Sequence, residues 1–165
     1  TDGLYLIPAP SSPGMIDAYR FTAFAKKAAE LYDTVIFDFP AGIDFSLYGC
    51  LPEGTLFLTV AVPDPVSVRD AAAVSGMLSD ISCTSKLIIN NFRCRLVKKK
   101  IFRNIDDIMD SAGLRLAGIV PASDELMLLS VNHRLKSGGR PMSAFLRIAS
   151  RLEGKRVLLP DPKKI

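Results

Sequence analysis

At 165 residues the chain has the length of one domain and can bury a real core, and with 48% hydrophobic and 23% charged residues it does not have the composition of a disordered chain. The net charge of +4 is modest, and no apolar run approaches the about 20 residues needed to span a bilayer. Cys50, Cys83 and Cys94 are odd in number and too scattered for a zinc or redox spacing, so they read as buried free thiols in a reducing cytoplasm.

In chain order, short apolar runs rich in β-branched residues predict strands near Leu4–Pro8, Thr34–Phe39, Thr55–Val60, Lys86–Asn90 and Arg115–Val120. Between the first two, Ile16, Tyr19, Phe24, Ala28 and Leu31 recur at helical spacing, which predicts a helix from Met15 to Leu31. Asp64 followed by Pro65 forms a helix start, with the helix running to about Ser79. A further helix near Phe102–Ser111 stops at Gly113, and the last runs from Pro141 to Leu152 before Gly154. Strands alternating with helices predict a three-layer α/β/α fold with a mostly parallel sheet, treated as a single domain over residues 1–165.

In such folds ligands bind beyond the carboxyl ends of the strands. Asp38 ends one apolar strand and precedes Phe39-Pro40-Ala41-Gly42, where a carboxylate suits Mg²⁺ beside nucleotide phosphates; capping a helix that begins near Asp44 is the competing use. Asn90 and Asn91 end another, and an amide there can donate to and accept from a purine edge, although Asn also suits a turn for backbone reasons alone. Pro121 ends the next strand, where by itself it is a stop signal. Arg93, Arg95, Lys98, Lys99, Lys100 and Arg103 form a basic run that reads as a solvated loop or helix face rather than a nucleic-acid or acidic-lipid contact. His133, the only histidine, has no partner at useful spacing.

Taken together, these segments resemble the MinD branch of the MinD/ParA family of P-loop ATPases. Tyr32-Asp33-Thr34-Val35-Ile36-Phe37-Asp38-Phe39-Pro40-Ala41-Gly42-Ile43-Asp44 is similar to the family's Walker B segment, and Val62-Pro63-Asp64-Pro65-Val66-Ser67-Val68-Arg69-Asp70-Ala71 to its Thr-Pro-Glu-x-x-Ser-Val-Arg-Asp-Ala. Leu87-Ile88-Ile89-Asn90-Asn91, Gly118-Ile119-Val120-Pro121 and Ala144–Leu152 resemble its later strands and last helix, so the likeness covers nearly the whole chain. The resemblance implies an ATPase in which two monomers enclose two ATP molecules. It implies Mg²⁺ held through water at Asp38, a γ-phosphate switch at Pro40 and Gly42, and adenine held at Asn90, Asn91 and Pro121. Arg69 and Asp70 would lie on the dimer and partner surface, and the family function would be placement of the division site.

The chain departs from the pattern at Phe39, usually Ser, at Asn91, usually Arg, and at Pro121-Ala122-Ser123, usually Pro-Glu-Asp. No Gly-rich loop ending in Gly-Lys-Thr or Gly-Lys-Ser occurs: Gly154-Lys155-Arg156 follows the wrong element and Ser137-Gly138-Gly139-Arg140 lacks the lysine. The isolated chain is therefore predicted not to hydrolyse ATP. Its opening Thr, rather than Met, points to residues upstream, so the expectation is the C-terminal larger part of such an ATPase. The ending Leu159-Pro160-Asp161-Pro162-Lys163-Lys164-Ile165 offers no amphipathic turn, which argues against membrane recruitment. Two other readings stay open on sequence: a nucleotide-free interaction module, and a ParA-like or flagellar regulator with a DNA or protein partner.

Overall fold

The computed structural model describes residues 3–9, 16–40, 45–81, 83–95, 102–129 and 138–159. The chain divides into two compact units, Thr1–Thr55 and Leu56–Ile165.

In the first unit, helix α1 spans Ala18–Leu31. It starts three residues later than the periodicity predicts because Asp17 caps it, its Oδ1 accepting the Arg20 N–H at 2.8 Å. Val35, Phe37 and Phe39 alternate with exposed Thr34, Ile36 and Asp38, the period of two that a strand shows. The half-buried set packs on aromatic rings: Phe37 lies 5.6 Å from Phe21 and 6.5 Å from Phe24, and Phe39 lies 4.9 Å from Tyr48 and 6.4 Å from Phe21. Tyr48 belongs to a short 3₁₀ helix at Phe45–Cys50, where the sequence suggested a helix beginning near Asp44.

Neither Leu4–Pro8 nor Thr34–Phe39 is a strand, against the sequence expectation. Both are without regular secondary structure, because a strand exists only through ladder hydrogen bonds and the described sheet takes its strands from elsewhere. The side-chain alternation of residues 34–40 survives without the ladder. Leu4, Leu6 and Ile36 stand 80%, 90% and 86% exposed, so these runs are not the doubly buried strands that their apolar composition suggests.

The second unit is built on a parallel sheet in the order β1 (Leu56–Ala61), β2 (Thr84–Phe92), β3 (Arg115–Pro121). Helix α2, Pro65–Asp80, begins with Asp64 Oδ1 accepting the N–H groups of Val66 and Ser67, both at 3.0 Å, and Pro65 costs no hydrogen bond at the helix start. Helix α3, Ile105–Ala112, is capped by Asn104 and closed by Gly113 at φ 66°, a left-handed conformation that glycine adopts without a Cβ penalty. One turn of helix, α4, spans Asp124–Met127, and α5 spans Arg140–Leu152.

Ala61, Leu87, Ile89, Leu116 and Ile119 turn one face of the sheet toward Val68 and Ala71 of α2 and Ile105, Ile108 and Ala112 of α3, forming the core cluster. On the other face, Gly118 receives α5: a Cβ there would overlap the Ile148 side chain. Adjacent strand residues point to opposite faces, so α5 covers the face opposite Ile119. The three-layer α/β/α arrangement expected from the sequence is thus present, with three strands among the described residues. Leu58 and Val60 on β1 remain 39% and 59% exposed. The three cysteines are free and only half-buried, less enclosed than their composition class suggests.

Candidate functional site

Asp38 and Pro40 are exposed, and Asp38 makes no hydrogen bond or ion pair among the described residues. Its carboxylate therefore stands free at the end of the alternating segment, on the face away from Phe37 and Phe39. No cluster of three or more His, Cys, Asp or Glu occurs among the described residues. A single free carboxylate fits Mg²⁺, which keeps most of its water shell, better than it fits a metal that demands several protein ligands. Gly42, the other expected switch residue, lies outside the described residues, as do Lys98–Lys100 and His133. Phe39 stands where the family pattern has Ser, and its ring is committed to Phe21 and Tyr48.

In the second unit, β2 and β3 bring Asn90, Asn91 and Pro121 to one end of the sheet. The ladder shifts register between Ile89 and Phe92, where Phe92 pairs with Pro121, and Asn91 takes φ 52° within that irregularity. Bulges of this kind re-aim side chains and recur beside binding sites, and Asn is the side chain that best tolerates a left-handed backbone. Asn90 spends its Oδ1 on the Asn91 N–H at 2.9 Å, leaving its amide NH₂ as the group available to a ligand. The Ala122 N–H donates to the Phe92 carbonyl at 2.9 Å, which ties the two strand ends together.

Beyond those ends lies a cavity of about 310 Å³, lined by Phe92, Arg93, Cys94, Arg95, Pro121, Ala122, Ser123, Asp124 and Arg140. Pro121 and Phe92 are buried beneath it, and the three arginines are exposed around it. Sequence reasoning places Pro121 here but not Arg140, whose only signal is a position before a helix, and it treats Arg93 and Arg95 as solvated surface. Asn90 and Asn91 are near the cavity in sequence but do not line it.

Arg69 and Asp70 occupy the second turn of α2 and pair at 3.3 Å with side chains 76% and 59% exposed. An ion pair so exposed adds little stability, so both groups remain open to a partner surface.

A parallel sheet with helices on both faces and polar groups gathered past its strand ends is the architecture of α/β nucleotide-binding domains. No family model matches the chain. It is 28% identical over 166 residues to the septum site-determining protein MinD of Thermotoga maritima, covering 96% of this chain and 61% of that protein. It is 30% identical over 172 residues to the MinD of a Synechocystis species, covering 96% and 62%. Among solved structures, the MinD cell division protein of Aquifex aeolicus superposes with a TM-score of 0.78 at 25% identity, over 88% of this chain and 64% of that one. The MinC:MinD complex of the same organism gives 0.78 at 26%, over 88% and 63%. MinD of Pyrococcus horikoshii complexed with Mg-ADP shares the fold, with a TM-score of 0.69 at 16% identity, over 83% and 57%. The chain is similar to the MinD proteins of the MinD/ParA family along 96% of its length, and it spans about three-fifths of the length of the curated relatives it matches.

Proposed function

We propose that this chain carries the Mg²⁺-facing and adenine-facing residues of an ATP site in a MinD-like protein that helps place the cell-division site in the cytoplasm. The observation that carries this reading is the similarity to septum site-determining MinD proteins along 96% of the chain. In it, Asp38 takes the outer shell of Mg²⁺, Pro40 and Gly42 respond to the γ-phosphate, and Asn90, Asn91 and the Pro121 backbone hold adenine. Bound Mg²⁺ would neutralise phosphate charge; the chain's own part is to position one free carboxylate where that ion sits. The Mg-ADP bound by the Pyrococcus horikoshii MinD supports the choice of cofactor.

ATP binding would bring two copies together, and nucleotide state would be passed to a protein regulator through Arg69 and Asp70. The Aquifex aeolicus MinC:MinD complex supports a protein partner of this kind. No helix among the described residues is long and apolar enough to cross a membrane.

Titration calorimetry with ATP, with and without Mg²⁺, tests the reading. Mg²⁺ should tighten ATP binding to the unaltered chain, and Asp38→Asn should remove about tenfold or more of that affinity, roughly 1.4 kcal/mol. An equal Mg²⁺ effect in both proteins would sink the assignment of Asp38.

A further inference from the structure

No further inference is drawn: the strongest candidate, the apolar surface patch that Leu58 and Val60 form on β1, the edge strand of the described sheet, is an unpartnered face, and nothing in the structure shows what covers it.

Discussion

Gly118 shows how one missing methyl group sets the distance between layers. Ile148 is β-branched and stiff at χ1, so it cannot swing aside when a Cβ appears opposite it. Gly118→Ala should therefore destabilise the chain by about 1–3 kcal/mol, the usual range for overpacking, as read by urea unfolding. Adding Ile148→Ala should recover part of that loss, and strict additivity of the two changes would show that the contact is not responsible. Asp64 carries a different kind of local information. Its carboxylate satisfies two backbone donors of α2, so Asp64→Ala should cost about 1 kcal/mol, whereas an unchanged unfolding midpoint would mean that water replaces the cap at no cost. Both α2 and its cap were legible from Asp64-Pro65 because capping is local chemistry. Arg140 was not legible as a site residue, since its meaning depends on a cavity assembled from two strand ends and a helix start.

Among elements, the segment at residues 34–40 is where composition misleads. Val35-Ile36-Phe37 reads as a strand buried on both faces, yet Ile36 is 86% exposed while Phe37 packs on Phe21 of α1. Hydrophobicity alone does not say whether a ladder partner exists; that is a non-local property. The strands of the second unit were legible to within about two residues because their runs do find partners, Leu87 between Thr59 and Leu116 for example. Phe39, where the family pattern has Ser, likewise makes contacts with Phe21 and Tyr48 that sequence could not give. Restoring the family's residue with Phe39→Ser should lower stability by about 1–3 kcal/mol through lost aromatic packing. Because the chain has no Trp, tyrosine fluorescence can follow the change around Tyr48, and a variant as stable as the parent would show that those ring contacts contribute little.

For the molecule as a whole, the family was legible because several strand ends fall into the family's order along the chain, each of them weak alone. The fold brings Asn90, Asn91 and Pro121 to one end of one sheet. Asp38 stands free at its own segment end, with Phe37 and Phe39 anchored beside it. What separates the ATP reading from a nucleotide-free interaction module is whether these two groups of residues respond to the same ligand. An NMR titration of the chain with ATP, first alone and then with Mg²⁺, asks this directly. Shifts at Asn90, Asn91 and Ala122 on adding ATP, followed by shifts at Asp38 and Phe39 that require Mg²⁺, are the expected result. Spectra unchanged at all five positions with ATP and Mg²⁺ in the millimolar range would contradict an ATP site in this chain and favour the interaction module.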